Sequence, residues 1–314
     1  MPHSHFSNRQ RTIFGLTLLL LLTIVGMMAY WVDNLLREGN IETNQAYLKV
    51  AVEDRHVVIE QFLNERLNML KVLTRSAYDE HDYGPRHAQA LLNELATTYA
   101  DYLSFSVYTR EGQLLGLAGE DTIDSSDVTS QEWFTVTLTR GEFVSPLYLG
   151  SRKIPTLAMS VLAITPAGAH VVRATLNLAT LNTHLSEMTA GESGGTYMVN
   201  PITGSYLSRP YYGAKPLLEH SPRFNWGEKH FHVDYEEHGI EEVDAKIATR
   251  ADGTEVIEAY CCTRDGTWLV VVERELEEVL DLHRALRQQL GMTLGFTLLL
   301  LIAITGIAFR LGRR

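Results

Sequence analysis

The sequence predicts an α+β fold: two antiparallel-sheet modules stacked along a long N-terminal helix, flanked by two transmembrane helices. Three observations predict it. Two uncharged apolar runs, residues 12–32 and 290–309, frame the chain. Each has the roughly 20 residues that a helix needs to cross about 30 Å of hydrocarbon. An apolar stripe at helical spacing occupies 33–76. Beyond it lie two groups of short strand-like runs, one on each side of a Gly-rich stretch at 191–195.

The first apolar run is longer than the core of a secretory signal, and no A-x-A cleavage site follows it, so an uncleaved anchor is expected. Apolar residues cover every face of both runs, which argues against buried core helices. Charge fixes the topology. No acidic residue precedes Asp33 or follows 290, whereas Arg9 and Arg11 precede the first run and Arg310, Arg313 and Arg314 follow the second. The positive-inside rule places both ends in the cytoplasm. The segment between them carries all 38 acidic residues of a chain whose formal net charge is -11. A surface that acidic repels nucleic acid.

The helix at 33–76 carries Tyr47, Val50, Ala51, Val58, Phe62, Leu63, Leu67, Leu70 and Leu73 as its stripe. Part of it is expected to cover the sheets, the rest to face a second copy of the chain. A second helix is predicted at 86–100. Strands at 103–108 and 113–117 flank Arg110-Glu111-Gly112, a hairpin signal. A polar loop over 119–130 leads to a short helical turn with Trp133 and Phe134, stopped by Gly141. Strands at 142–149, 155–164 and 169–178 then form an antiparallel meander, and 177–189 reads as a helix leaving the first module.

The second module is predicted to hold strands at 196–200, 205–208, 246–249, 255–262 and 268–272, with hairpin signals at Asp252-Gly253 and Asp265-Gly266. A charged helix at 273–289 then runs into the second apolar run. There Gly291 and Gly295 form a pair that lets two helices approach closely. Cys261 and Cys262 are strand neighbours and point to opposite faces, so no disulfide between them is expected. His230 and His232, with Glu228 or Asp234, have metal-ligand chemistry, but solvated loop histidines are the simpler reading.

The stretch 130–164, with the strand after it, resembles the pocket of the double Cache sensor family. These are tandem PAS-like modules displayed outside the membrane by bacterial histidine kinases, chemoreceptors and diguanylate cyclases. That family often shows R-P-W-Y, then V-S-x-x-Y, then a strand G-V-V-G-V-D-I-x-L. Here the corresponding residues are Gln131-Glu132-Trp133-Phe134, Val144-Ser145-Pro146-Leu147-Tyr148 and His170-Val171-Val172-Arg173-Ala174-Thr175-Leu176-Asn177-Leu178. A second likeness lies in Gly195-Thr196-Tyr197-Met198-Val199-Asn200 and Tyr206-Leu207-Ser208-Arg209-Pro210. The resemblance implies PAS-like modules, a membrane-distal one at 33–190 and a membrane-proximal one at 191–289. It also implies a ligand site of Trp133, Phe134, Ser145, Tyr148, Arg173 and Thr175.

Amine-binding members of the family carry Asp at the position of Thr175 and Arg at that of Gln131, and the tyrosine seven before the Trp is Ser126 here. The resemblance therefore implies an anionic or neutral small-molecule ligand rather than an amine. Arg173 stands where the family has Gly. It is expected either to meet a carboxylate bidentately or to form an internal salt bridge with Glu132 or Glu142.

The chain shows no GxGxxG, kinase core or GGDEF signature. It is expected to be no enzyme and to need no cofactor. The Gly191-Glu192-Ser193-Gly194-Gly195 stretch is similar to the nucleophile loop of trypsin-like proteases. No upstream His motif accompanies it, so a hinge is the preferred reading. The expected protein is a two-pass inner-membrane sensor with its domain in the periplasm. It is expected to be a homodimer and to signal through a cytoplasmic or membrane partner. The alternatives are an envelope protein-binding scaffold and the sensory front part of a longer histidine kinase or diguanylate cyclase.

Overall fold

The computed structural model describes residues 8–76, 84–119, 127–150, 153–165, 168–210, 217–224, 243–263 and 268–311. The first helix, α1 (Asn8–Ser76), runs without interruption through the first apolar run and the polar segment after it. No proline lies between Pro2 and Pro85 to stop it. Among its buried positions are Leu48, Val52, Ile59, Leu63, Leu67, Leu70 and Leu73. Their spacing of three, four or seven makes one face. Tyr47, Val50 and Val58, placed on the stripe by sequence, are exposed because they fall off that face. Arg66 leaves α1 for Asp101, whose carboxylate accepts from Nη2 at 3.1 Å and from Nε at 3.2 Å. The guanidinium is also stacked 3.7 Å from the Phe62 ring centroid and 4.2 Å from that of Tyr99.

Helix α2 (Pro85–Thr98) buries Ala88, Leu91, Leu92 and Leu95. Six strands then build the first sheet: β1 (Tyr102–Thr109), β2 (Leu114–Gly119), β3 (Glu142–Val144), β4 (Tyr148–Leu149), β5 (Pro155–Thr165) and β6 (Gly168–Asn177). Their order is β2-β1-β6-β5-β3, with β4 also on β5, and every pair is antiparallel. The predicted strand 142–149 is broken in two. Pro146 has no N–H to offer, and the Ala158 N–H donates at 2.9 Å to the Ser145 hydroxyl. The ladder cannot continue across that gap. Helix α3 (Glu132–Arg140) precedes β3, and α4 (Ala179–Glu187) follows β6.

The second sheet has four strands in the order β7-β10-β9-β8, with β7 (Gly195–Val199), β8 (Asp244–Thr249), β9 (Glu255–Thr263) and β10 (Trp268–Glu275). Strand β7 runs antiparallel to β10. The predicted strand 205–208 is only a pair of bridges, Val199 to Tyr206 and Ser205 to His220. Strand β10 extends to Glu275, beyond the predicted 272, and α5 (Leu276–Leu311) begins at once. The early start predicted for that helix fails because Glu273 is fully buried in the sheet, and one guanidinium nitrogen of Arg223 bonds both Glu273, at 3.0 Å, and Glu258. The Tyr197 hydroxyl also donates to Glu273, at 2.9 Å.

The chain divides into two compact units. One comprises residues 48–246 and 258–273, and the other 1–47, 247–257 and 274–314. In the latter, Arg274 donates to Asn44 at 3.1 Å, and Arg287 lies 3.9 Å from Asp33. Both apolar runs fall within helices, and most of their described side chains, among them Leu19, Met27, Phe296 and Leu299, are exposed. Among the described residues no helix is long and apolar enough to cross a membrane.

Cys261 is buried and Cys262 half-buried, both as free thiols. Burial, then the neighbouring Cys261, pushes the Cys262 thiol up to about 12. At pH 8 almost none of it is thiolate, and only the thiolate attacks an alkylating agent. Iodoacetamide is therefore expected to leave Cys262 unmodified in the folded chain and to label it in denaturant, as intact-mass measurement will read.

Candidate functional site

Helix α3 is stopped by Gly141, whose φ of 87° is the left-handed conformation glycine adopts without cost, and whose N–H donates to Thr137 at 2.9 Å. Phe134 and Thr137, three apart, make its buried face. Trp133 beside them is half-buried. Tyr108 of β1 completes an aromatic cluster. Its ring centroid lies 5.5 Å from Trp133 and 6.4 Å from Phe134, and the Trp133 and Phe134 rings meet edge-on at 5.5 Å.

The sheet under α3 is polar at its centre. Alternation brings Val171, Arg173 and Thr175 of β6 to one face. Register sets Tyr108, Ser106 and Ser104 of β1 on one side of them, and Leu162, Ser160 and Ala158 of β5 on the other. The hydroxyls there satisfy one another. Ser104 and Thr175 share a hydrogen bond of 2.6 Å, and Thr137 of α3 meets Ser160 at 2.5 Å. A buried hydroxyl needs such a partner to avoid a desolvation penalty.

Arg173 stands within this patch and is buried. Its Cζ lies 5.3 Å from the centroid of the Trp133 ring, a cation–π contact. Its Nη2 donates to the Tyr148 hydroxyl at 3.3 Å. Of the two carboxylates considered for an internal salt bridge, Glu142 is paired with Lys71.

Three of the six sequence-assigned site residues, Trp133, Tyr148 and Arg173, therefore meet directly, and Phe134 joins through its ring contact with Trp133. The other two are differently placed. Thr175 is buried against Ser104. The Ser145 hydroxyl donates to the Pro146 carbonyl at 2.8 Å while accepting from Ala158. Tyr108, Ser160 and Thr137 were not assigned to the site from sequence. Their signal was visible: in β1 the order Tyr102, Ser104, Ser106, Tyr108 alternates small hydroxyls onto one face of a buried strand.

The stretch 191–195 has a structural explanation. A Cβ on Gly194 would lie 2.1 Å from the Ala190 carbonyl oxygen and 2.4 Å from that of Glu273. Only glycine allows those backbones to approach so closely. The residues His230, His232, His238, Glu228 and Asp234, as well as Ser126, lie outside the described residues. Among the described residues no group of three or more His, Cys, Asp or Glu is placed to hold a metal.

No family model and no curated protein matches the sequence. Solved structures do match in fold. The ligand-binding domain of the Campylobacter jejuni chemoreceptor Tlp3, in complex with L-norvaline, is 13% identical with a TM-score of 0.55, the match covering 77% of this chain and 95% of that one. The ligand-binding domain of the Pseudomonas aeruginosa amino acid chemoreceptor PctB, in complex with L-Arg, is 16% identical with a TM-score of 0.54, covering 76% and 98%. The extracellular domain named as that of the histidine kinase mmHK1S-Z3 is 13% identical with a TM-score of 0.53, covering 81% and 96%. The chain has the fold of the ligand-binding domains of chemoreceptors and histidine kinases, the Cache sensor fold that its motifs resemble.

Proposed function

We propose that this chain is a membrane-anchored extracytoplasmic sensor that binds a small anionic or neutral molecule at the α3 face of its first sheet. It relays binding across the membrane to an output partner and catalyses no reaction of its own. The observation that carries this reading is Arg173, buried in a polar patch and set between the Trp133 ring and the Tyr148 hydroxyl. Rings supply apolar walls and the guanidinium supplies orientation, the usual composition of a small-molecule site. The chemoreceptor domains of like fold are complexes with amino acids. Here Thr175 stands where the amine-binding members of the family carry Asp, which supports an anionic or neutral ligand over an ammonium. The test is a thermal-shift screen of small carboxylates, polyols and amines against the full-length chain. A binder raises the melting temperature with concentration. If no anionic or neutral compound does so while an amine does, the reading is wrong.

The membrane placement rests on the two apolar runs, the exposed apolar side chains within them and the Arg residues outside them. A reporter fused after Ser193 is expected to be active outside the cytoplasm, and one fused after Arg314 inside it. Activity of both on one side overturns the two-pass topology. Tyr47, Val50 and Val57 leave an exposed apolar flank on α1, which supports a homodimer. Binding shifts a pre-existing equilibrium between conformations that differ in their affinity for the ligand.

A further inference from the structure

The last two residues of β10, Arg274 and Glu275, are strand neighbours and point to opposite faces. Each is held. Arg250, buried in the turn between β8 and β9, donates from Nη1 to Glu275 at 2.8 Å. That contact ties the end of β10, and the helix α5 that starts at the next residue, to the turn. Arg274 reaches the other way. Its Nη1 donates to Oδ1 of Asn44 in α1 at 3.1 Å, and its Nη2 pairs with Glu278 in the first turn of α5. One guanidinium thus bridges the two helices that carry the apolar runs.

The two arms of this bridge differ in strength. Glu278 is a carboxylate four residues further on, so its bond joins two ions of the same segment. Asn44 is a neutral amide on another helix. Its Nδ2 donates to the Asn40 carbonyl at 2.9 Å, which turns Oδ1 toward the guanidinium. When the helices part, the neutral bond breaks and the guanidinium stays with α5. A further tie, Arg287 to Asp33 at 3.9 Å, has its arginine side chain 72% exposed, and exposed pairs contribute little. We propose that Arg274 is a release clasp between α1 and α5. Docked, it holds α1 through Asn44. Released, α5 slides along α1 as an intact helix, with the Glu278 pair and the Glu275 anchor kept. Sliding of packed helices is one of the ways a fold switches between two states. Because a single hydrogen bond separates those states, a modest bias at either end of the helix shifts their populations. The clasp works in this way whichever molecule the first sheet binds.

Two measurements on the full-length chain in detergent test the proposal, and neither needs a ligand. For the first, Cys261 and Cys262 are replaced by alanine, and spin labels are placed at Arg37→Cys on α1 and Gln288→Cys on α5, both exposed positions. The labelled chain is diluted with an excess of unlabelled chain, so that distances within one chain are read by pulsed electron paramagnetic resonance. A docked population is expected to dominate without further change. Asn44→Ala is expected to raise the ratio of displaced to docked populations about tenfold, the worth of one hydrogen bond to the guanidinium. Arg274→Met is expected to raise it equally, and the double variant no further, because both remove the same bond. An unchanged distance distribution in Asn44→Ala, or effects that add in the double variant, overturns the clasp.

The second measurement separates sliding from fraying. Amide hydrogen exchange over 279–285 reports local opening of the first turns of α5. In Asn44→Ala these amides are expected to exchange at the wild-type rate, because the released helix keeps its own hydrogen bonds. Faster exchange there shows that the variant melts the start of α5 instead of freeing it, and that result also overturns the proposal.

Discussion

Replacing Arg223 with methionine is expected to destabilise the protein by about 3–5 kcal/mol, the cost of stranding a buried charge without its partner. Here two carboxylates would be stranded. Glu258 is 1% exposed and Glu273 0%. Nη2 of Arg223 bonds both, and Arg223 is also stacked 4.9 Å from the Phe224 ring centroid. The remaining help is partial: Tyr197 donates to Glu273, and Lys246 lies 3.7 Å from Glu258 at a half-exposed position. A half-exposed amine is screened by water and is a poor substitute for the largely buried guanidinium. For a chain of this size the loss corresponds to a fall in melting temperature on the order of 10 °C. The triple change Arg223→Met, Glu258→Gln and Glu273→Gln is expected to recover most of it, since a neutral buried set needs no counter-charge. Circular-dichroism melts decide the matter. If the single and triple variants melt together, below wild type, the network is not the source of the stability.

Arg173→Ala is expected to weaken an anionic ligand by roughly ten- to a hundredfold, the equivalent of about 1.5–3 kcal/mol for one charge-assisted hydrogen-bonded contact. The fold is expected to survive, because the strand is held to β1 and β5 by main-chain bonds that the substitution leaves in place. Trp133→Ala is expected to weaken any ligand, charged or neutral. That variant removes a ring in contact with both Tyr108 and Phe134, so its melting temperature belongs beside its affinity. Calorimetry with the best compound from the screen gives the comparison. Unchanged affinity in both variants would show that this face does not hold the ligand.

The first sheet was legible because its strands alternate cleanly and are bounded by turn residues. The β5 and β6 segments fall within a residue or two of their predicted limits. What was not legible depended on groups far apart in sequence. Glu273-Arg274-Glu275 looks like the polar start of a helix, and only the salt bridge from Arg223, 50 residues earlier, explains why Glu273 stays in a strand. Likewise Pro146 signalled an interruption, but the capture of the Ala158 N–H by Ser145 could not be read locally. At the site, the likeness to a known pocket named Trp133, Tyr148 and Arg173. It could not show that Arg173 would rest on the indole or that Thr175 would be paired with Ser104.

Strand β10 ends at Glu275 and α5 begins at Leu276, with no residue between them. Such a junction has no slack to absorb a change in length. One residue inserted there advances every later position of α5 by about 100° around the helix axis and 1.5 Å along it. Four bring the original face back to within roughly 40°, and seven to within about 20°. A ladder of insertions at this joint should therefore give an output that rises and falls with the helical repeat, as it would for a rigid shaft and not for a flexible cord.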